Sequence, residues 1–296
     1  MKKVLIFGNP SSGHGTFKNS LCEMVSAFCA ADYSVEVRTA LKPGDFEEYT
    51  RTYGSDYDRI VVCGGDGSVN SVLNGLMELD KKPELSIIPL GTTNDYAFSL
   101  DIPSSTVGAI ATSVNGTPFN IDIGKFNNRY FSYVAAFGVF SRVTYETDQQ
   151  VKNVLGRTAY LLSGIKEFPL KTTHLHLKWP DGEEEGDYLL GLFTNSISVG
   201  GFHSIFHGAQ LDDGLLEVTL IKEPKSVSDI HMIIEVLLGL KKVDELSGNF
   251  IKCISTNEIT VESNSPVAWS LDGENGGRYK KALIKNVSKP LTIIKG

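Results

Sequence analysis

The chain of 296 residues is 41% hydrophobic and 21% charged, with a formal net charge of −7. This length allows two domains with a core each, and the acidic balance argues against a nucleic-acid partner, which would require a basic face. The four cysteines show no CxxC spacing, so the sequence indicates neither a zinc site nor a disulfide framework and favours reduced, cytosolic thiols.

Strand and helix signals alternate through the first 123 residues. Strand-like apolar runs occur at VLIF, SVEVRT, RIVVC and LSIIPL. Helical spacing of apolar residues lies between them at 17–28, 44–54 and 68–79, and again near 104–115. This alternation predicts an α/β domain whose parallel sheet has helices on both faces, with ligands binding beyond the carboxyl ends of the strands.

After about Asp122 the pattern changes to short, alternating β-rich runs separated by turn residues. These runs predict an antiparallel, sandwich-like second domain. We therefore expect an α/β domain over 1–123 and a β-rich domain over 124–281, with the tail 282–296 a candidate addition to the first.

Two helical stretches interrupt the β-rich part, at 156–168 and 227–242. The second contains an apolar stripe that is broken by Glu235 and ends in two lysines. The stripe favours a packed surface helix over one that touches a membrane.

The stretch RIVVCGGDGSVNSVLNGL (59–76) places an acid, Asp66, inside a glycine loop. A buried strand precedes the loop, and apolar residues spaced as one face of a helix follow it. Its three glycines allow positive φ and leave backbone N–H groups uncovered at a helix N-terminus, which favours phosphate oxygens. A carboxylate does not favour phosphate unless a cation or a fixed donor lies between them. The stretch therefore predicts a site that handles phosphate.

Two further loops leave the carboxyl ends of predicted strands. GNPSSGHG follows the first strand and GTTND follows the fourth, so we expect these two loops and GGDGS to lie side by side. The first loop lacks the GxGxxG pattern of dinucleotide-binding folds. No stretch carries a Walker A loop, a protein-kinase signature or the GxSxG of acyl hydrolases.

Acidic residues accompany these loops. Asp66 and Asp95 lie in two of them, and LDDGLL (211–216) and LDGE (271–274) add four acids from the second domain. A single Asp-Gly pair is more often a turn than a site. Together with the three loops, however, the acids indicate phosphoryl transfer, which needs a phosphate cradle, magnesium held by oxygen ligands and a base for the attacking hydroxyl.

The chain resembles the diacylglycerol kinase catalytic-domain family, the bacterial lipid kinases, through six motifs in the family's order. They are NPSSG (9–13), GGDGSVNSVLNGL (64–76), PLGTTNDYA (89–97), DIGKFNNRYFSYVAAFG (122–138), LDDGLLEV (211–218) and LDGE. The resemblance covers nearly the whole chain. It implies an NAD kinase-like fold, with an ATP-binding α/β domain, a β-rich domain and an active site between them that uses ATP and Mg²⁺.

The resemblance also implies roles for individual residues. The expected ATP contacts are Asn9, Ser12, Gly13, Thr39, Gly64, Gly65, Asp66, Gly67, Ser68, Asn70, Thr92, Asn94 and Asp95. Asp66 and Asp95 would organise the triphosphate and its magnesium. The carboxylate of Asp213 and the backbone carbonyls of Gln210 and Leu215 resemble a structural magnesium site.

The same resemblance gives the catalytic residues. Glu274 matches the general base, and Asp122 matches an acid that supports the site. The spacing of LDGE itself predicts that Asp272, two residues before Glu274, forms a working pair of carboxylates with it, and Asp66 completes the predicted catalytic set.

The sequence departs from the family at four places. Thr93 stands where glycine is usual, Phe98 where an arginine is usual, and Ser68 where threonine is common. The segment GGFHSIFHGAQ before the paired aspartates lacks the proline–acid step often found there. These departures leave the acceptor specificity and the detailed ATP contacts open.

The sequence thus predicts an ATP- and Mg²⁺-dependent kinase for diacylglycerol or a related lipid alcohol, with a sphingoid base among the acceptors. One alternative is NAD kinase-like phosphorylation of a soluble nucleotide, since NAD kinase shares the GGDG loop. A second is a catalytically silent nucleotide-binding protein, against which the retained Glu274 argues. The expected location is the cytoplasm, in transient contact with the inner face of the membrane, and a homodimer is left open.

Overall fold

The computed structural model of the chain describes residues 1–9, 15–138, 172–196, 198–199, 202–203, 210–223, 225–226, 229 and 250–296. The predicted helices at 156–168 and 227–242 lie outside these ranges, apart from residue 229. The chain divides into two compact units. The amino-terminal unit contains residues 1–123, 130–132 and 287–296, and the carboxyl-terminal unit contains 124–129 and 133–286. No helix in the described part of the chain has both the length and the apolar character needed to cross a membrane.

The amino-terminal unit alternates strands and helices as predicted. In chain order its elements are β1 (Lys2–Gly8), α1 (Thr16–Ala30), β2 (Tyr33–Thr39), α2 (Asp45–Tyr53), β3 (Arg59–Gly64), α3 (Asp66–Met77), β4 (Glu84–Pro89), α4 (Asp95–Ser99) and α5 (Thr106–Asn115). The strands are parallel in the order β2-β1-β3-β4. The residues of β1 and β3 that carry the apolar runs, 4–7 and 60–63, are buried almost completely, because both faces of a doubly covered sheet are removed from water.

Helices cover both faces of this sheet. The ring of Phe7 lies 4.6 Å from that of Phe46 in α2, whereas a Cβ on the next residue, Gly8, would collide with Phe17 of α1. Successive residues of a strand point to opposite faces, so α1 and α2 lie on opposite sides. α5 contacts α1 and α3 contacts α2, which places two helices on each face.

The carboxyl-terminal unit is β-rich and its described strands pair antiparallel. The remaining elements are β5 (Thr117–Phe126, shared by the two units), β6 (Arg129–Phe131, mostly in the amino-terminal unit), β7 (Val134–Gly138), β8 (Thr173–Trp179), β9 (Gly182–Thr194), β10 (Ser198–Val199), β11 (Phe202–His203), β12 (Leu216–Lys222), β13 (Ile251–Thr256), β14 (Glu258–Leu271) and β15 (Glu274–Lys295, whose last residues belong to the amino-terminal unit). β12 pairs with β13 and β9, and β7 and β8 each pair with both β9 and β14.

A cluster of aromatic side chains forms the core of this unit. Trp269 of β14 is 1% exposed, and its ring lies 4.8 Å from Phe126, 5.2 Å from Phe137 and 5.4 Å from Phe193. These rings come from four different strands, so their burial fixes how the strands pack.

Candidate active site

The register of the parallel strands brings four strand ends to one edge of the sheet. Gly8, the last residue of β1, is paired with Thr39 of β2 and Cys63 of β3, and Gly64 is paired with Pro89 of β4. The loops that follow these strands therefore begin at the same edge, where α/β sheets bind ligands. Cys63 is fully buried, and burial raises the pKa of its thiol, so it stays neutral and is not a nucleophile.

The glycine-rich stretch differs in detail from its prediction. Gly65 is the N-cap of α3 and Asp66 is its first residue, so the acid lies in the first helical turn and not in a preceding loop. Glycine allows positive φ, but Gly64, Gly65 and Gly67 all lie outside that region. What Gly64 provides is space, since a Cβ there would lie 2.6 Å from the hydroxyl oxygen of Ser68.

This stretch and the loop after β4 are in contact. A Cβ on Gly65 would lie 3.1 Å from the Cα of Gly91, and a Cβ on Gly91 would lie 2.5 Å from the Cα of Gly65. The carboxylate of Asp66 accepts the N–H of Tyr96 at 3.2 Å and that of Asp95 at 3.4 Å. These two of the three loops therefore lie side by side as expected. The third, GNPSSGHG, lies largely outside the described residues, so its place beside them stays a prediction.

The side chain of Asn94 closes the loop after β4. It has a φ of 54°, its Oδ1 accepts the N–H of Gly91, and its Nδ2 donates to the carbonyl of Gly91, both at 2.9 Å. Thr92 lies within this closed loop. Asp95, the residue after Asn94, is fully buried. It begins α4, a short helix that the sequence did not predict. Phe98 of α4, at the position of the usual family arginine, is 44% exposed.

Two asparagines hold α3 against β6. Asn70 donates to the carbonyl of Tyr130 at 3.1 Å. Asn74 donates to the same carbonyl at 3.0 Å and accepts the N–H of Tyr130, also at 3.0 Å. Asn70 was expected to contact ATP, and the contacts of Asn74 were not predicted. The signal was present, because two amides four residues apart interrupt an otherwise apolar helix face and must find partners when buried.

The other predicted residues of the amino-terminal unit lie in β5, at the ends of β1 and β2, or outside the described ranges. Asn9 is half-buried at the end of β1, Thr39 is exposed at the end of β2, and Ser12 and Gly13 lie outside the described residues. Asp122 is fully buried in β5. One of its oxygens accepts the N–H of Lys289 at 2.8 Å, so this acid ties β5 to the last part of β15.

The LDGE motif forms a tight hairpin turn between β14 and β15. Leu271 and Glu274 are paired across it, and the two residues between them, Asp272 and Gly273, have φ values of 50° and 84°. Positive φ at both positions is what a type I′ turn requires, and Asp-Gly is a favoured sequence for it. Asp272 is 3% exposed, whereas Glu274 is exposed.

The LDDGLL motif forms a curled loop before β12. Asp213 is exposed and its Oδ1 accepts the N–H of Leu215 at 3.0 Å. Gly214 has a φ of 82°, and the carbonyl of Leu215 accepts an amide N–H of Asn286 at 2.8 Å. A carboxylate and two backbone carbonyls are ligands of the type that Mg²⁺ accepts, so Asp213, Leu215 and the exposed Gln210 fit the predicted ion chemically. Among the described residues, no group of three or more histidine, cysteine or acidic side chains is arranged to hold a metal.

Comparison with known proteins identifies the family. The model of the diacylglycerol kinase catalytic domain matches residues 3–126, and that of the YegS C-terminal NAD kinase beta sandwich-like domain matches residues 133–294. A diacylglycerol kinase of Bacillus subtilis (strain 168) is 32% identical over 280 residues, which cover 94% of this chain and 91% of the relative. The chain belongs to the diacylglycerol kinase family.

Further members and solved structures agree. A diacylglycerol kinase of Staphylococcus epidermidis (strain ATCC 12228) is 32% identical over 94% of this chain and 87% of its own length. A solved structure of a candidate diacylglycerol kinase from Bacillus anthracis superposes with a TM-score of 0.87 at 26% identity, over 100% of this chain and 95% of that one. A solved structure of an NAD kinase from Archaeoglobus fulgidus, in complex with ATP, superposes with a TM-score of 0.55 over 100% of this chain and 94% of that one. At 15% identity it shows the fold alone.

Family membership confirms the resemblance and the fold predicted from the sequence. The chain is a member of a kinase family with an NAD kinase-like architecture, an α/β unit followed by a β-rich unit whose strands pair antiparallel. The predicted residues Gly64, Gly65, Asp66, Asn94 and Asp95 come together at one junction of the amino-terminal unit.

Proposed function

We propose that this protein is an ATP-dependent lipid kinase that phosphorylates the hydroxyl of diacylglycerol or a related lipid alcohol. The observation that carries the proposal is the junction at which Gly65 meets Gly91 and Asp66 accepts two backbone N–H groups of α4. It lies in a chain that is 32% identical to a diacylglycerol kinase over 94% of its length.

The proposed nucleotide site uses backbone more than side chain. Gly64 and Gly65 directly precede α3, and the helix dipole at its N-terminus favours phosphate oxygens. Thr92 and Asn94 lie in the adjoining closed loop, and Thr39 and Asn9 begin loops at the same edge. In this proposal the glycines admit the triphosphate, and these polar side chains bind and orient it.

The proposed roles of the acids depend on charge. When bound with ATP, magnesium neutralises the phosphate charge that develops during transfer. Asp66 and Asp95 would orient the nucleotide from one side of the junction. Asp213 and the carbonyls of Gln210 and Leu215 would hold a second, structural ion within the β-rich unit. Buried Asp122 would support the site through the backbone of Lys289, which donates to it.

Glu274 is proposed as the general base. An alcohol is a weak nucleophile until its proton is removed, and a positioned carboxylate typically contributes about 10²–10⁴-fold to such a step. Glu274 is exposed at the end of a tight turn, so its side chain is accessible to a substrate hydroxyl. A lipid acceptor lies in a bilayer, so we also propose a cytoplasmic enzyme that binds transiently at the membrane surface.

A lipid-panel assay tests the proposal. The purified protein is incubated with labelled ATP and mixed micelles that contain diacylglycerol, monoacylglycerol or a sphingoid base, with NAD as a soluble acceptor, in magnesium or in chelator. We expect label on diacylglycerol or a related lipid alcohol, and only in magnesium. Label on NAD alone, or on none of the lipids, would overturn the proposal.

A pair of glutamate variants tests the base. Glu274→Gln keeps the shape of the side chain and removes its basicity, so kcat should fall by about 10²-fold or more while ATP affinity stays near wild type. Glu223→Gln, at an exposed position directly after β12, serves as the control and should leave kcat unchanged. A normal kcat in Glu274→Gln would exclude it as the base.

A further inference from the structure

Asp272 is fixed by three hydrogen bonds to the start of β7. Its Oδ1 accepts the N–H of Tyr133 and the N–H of Val134, both at 3.0 Å. Its own N–H donates to the carbonyl of Val134 at 2.8 Å. These bonds continue the β7–β14 ladder, whose last pair is Leu271 with Ala135, by one residue into the turn.

The segment that holds Asp272 is itself fixed from another strand. Tyr133 is 6% exposed, and its carbonyl accepts the N–H of Asn195, at the end of β9, at 3.0 Å. The Tyr133 hydroxyl lies 4.0 Å from where a Cβ on Gly273 would be. The carboxylate of Asp272 is therefore directed into the fold beneath the turn, against a backbone that is held on both sides.

We propose that Asp272 is a positioning residue, whose carboxylate fixes the turn so that Glu274 projects in one direction. The inference rests on the proposed function, because it deepens the role given to Glu274. It differs from the sequence prediction of two carboxylates that act on the substrate together. Asp272 acts through the backbone of Tyr133 and Val134, and Glu274 alone of the pair faces the acceptor.

Three substitutions separate what Asp272 contributes. Asp272→Asn keeps a carbonyl oxygen that can accept both N–H groups and tolerates positive φ, as asparagine does. Asp272→Gly keeps the φ of 50° without strain but loses the acceptor. Asp272→Ala loses the acceptor and also strains the backbone at positive φ, so of the three variants it is the one expected to misfold most readily. The test does not need it.

The expected kinetics follow from geometry. A displacement of about 1 Å at a catalytic group can cost about 10²-fold in rate, so Asp272→Gly should lower kcat by about 10- to 100-fold with little change in ATP affinity. Asp272→Asn should restore kcat to within about threefold of wild type, since one neutral acceptor replaces a charged one at modest cost. The alkaline and acid limbs of its kcat–pH profile should match those of wild type.

A double variant gives the decisive comparison. If Asp272 acts through Glu274, adding Asp272→Gly to Glu274→Gln should cause no further loss of kcat, because the base is already absent. The matched control is Asn127→Gly, which removes a similar clamp elsewhere in the same unit. Asn127 has a φ of 50°, and its Oδ1 accepts the N–H of Leu283 at 2.9 Å. This control should lower the melting temperature without lowering kcat.

Hydrogen exchange reports the clamp independently of activity. The amides of Tyr133 and Val134 should exchange faster in Asp272→Gly and stay protected in Asp272→Asn. Loss of activity in Asp272→Asn as deep as in Glu274→Gln, a full kcat in Asp272→Gly, or additive losses in the double variant would each overturn the inference. An inactive wild-type enzyme in the same lipid assay would instead overturn the proposed function, and the inference with it.

Discussion

Asp66 accepts hydrogen bonds from the first two residues of α4, the helix that follows the next loop. The sequence predicted that this acid faces a cation, and that role stays a prediction. Its two oxygens accept the N–H groups of Tyr96 and Asp95, which gives it a structural role in joining two loops. A glycine-rich stretch that contains an acid is therefore explained in part by folding alone, and an experiment must separate the two roles.

Substitutions at Asp66 make this separation. Asp66→Ala removes both acceptors, so the free energy of unfolding should fall by about 1–3 kcal/mol. Asp66→Asn keeps one acceptor and should lose less stability, yet lose kinase activity as fully as Asp66→Ala if the charge is needed for the magnesium–nucleotide complex. Chemical denaturation and the lipid assay measure the two effects, with exposed Asp80→Ala as the control. Retained activity in Asp66→Asn would leave the acid with a structural role only.

Asp213 tests the proposed structural magnesium ion. Asp213→Ala loses the hydrogen bond to the N–H of Leu215 in any buffer. If the loop also binds magnesium, the fall in melting temperature should be larger in magnesium than in chelator, because only the wild type gains stability from the ion by mass action. Differential scanning calorimetry in both buffers measures this. Equal shifts would mean that the loop holds no ion.

At the scale of elements, helix α3 is positioned by a close contact with α2. A Cβ on Gly75 would lie 2.7 Å from the carbonyl oxygen of Glu47 and 2.7 Å from the Cβ of Thr50. Backbone atoms of α2 cannot yield without moving the helix. The N-terminus of α3, which carries Asp66, therefore has its position set in part by a glycine about two and a half turns away.

Gly75→Ala measures this contact. Alanine is favoured over glycine in a helix by about 1 kcal/mol, but overpacking against backbone typically costs about 1–3 kcal/mol, so we expect a net loss of stability. Ser71→Ala, on the same helix, gains helix propensity without the clash and should be neutral or slightly stabilising. A more stable Gly75→Ala would show that the two helices separate easily.

The elements show what sequence reasoning can and cannot reach. Strand-like apolar runs predicted β1 to β4, and helical spacing predicted α1, α2, α3 and α5. A buried strand leaves an apolar run in the sequence, and a helix buried on one face leaves a periodic pattern. The one-turn helix α4 leaves no such signal. β13 was also overlooked, since a half-exposed strand at the end of its sheet lacks a clear apolar run.

The site shows a similar division. Motifs identified the loops that meet, but the reason for their glycines, close contact and not positive φ, depends on distances between segments that are far apart in sequence. The inward direction of the Asp272 carboxylate depends in the same way on β7, which no local pattern around LDGE could indicate.

At the scale of the whole molecule, ionisable groups should lower stability both as the pH falls into the acid range and as it rises into the alkaline range. Burial would raise the pKa of Glu184, but hydrogen bonds and charge from Lys222 and Lys252 overcome this and lower it from 4.5 to about 2. The ionised form is thus favoured in the folded state. Its contribution to stability should be complete above about 4.5 and be lost as the pH falls toward 2.

His174 acts in the opposite direction. Hydrogen bonds from its ring to Glu185, at 2.8 Å, and Asp187, at 3.0 Å, raise its pKa above the ordinary 6.5. The stability it adds is present below 6.5 and is lost as the pH rises through its folded pKa. Melting temperatures across pH should show a shallower acid decline in Glu184→Gln and a shallower alkaline decline in His174→Gln. Unchanged pH profiles in both variants would contradict these assignments.

Strand β15 has a consequence for how the protein is made. Residues 287–296 belong to the amino-terminal unit, and Ile293 lies beside Leu85 of β4 in the parallel sheet. Ribosomes synthesise proteins from the amino terminus, so the first unit cannot complete its sheet until the whole second unit has been translated. During this interval the edge of β4 lacks its neighbour, and unpaired strand edges in nascent chains are prone to aggregate. We therefore expect co-translational folding of the first unit to stop short of its native state, and chaperones to matter most at this stage of synthesis.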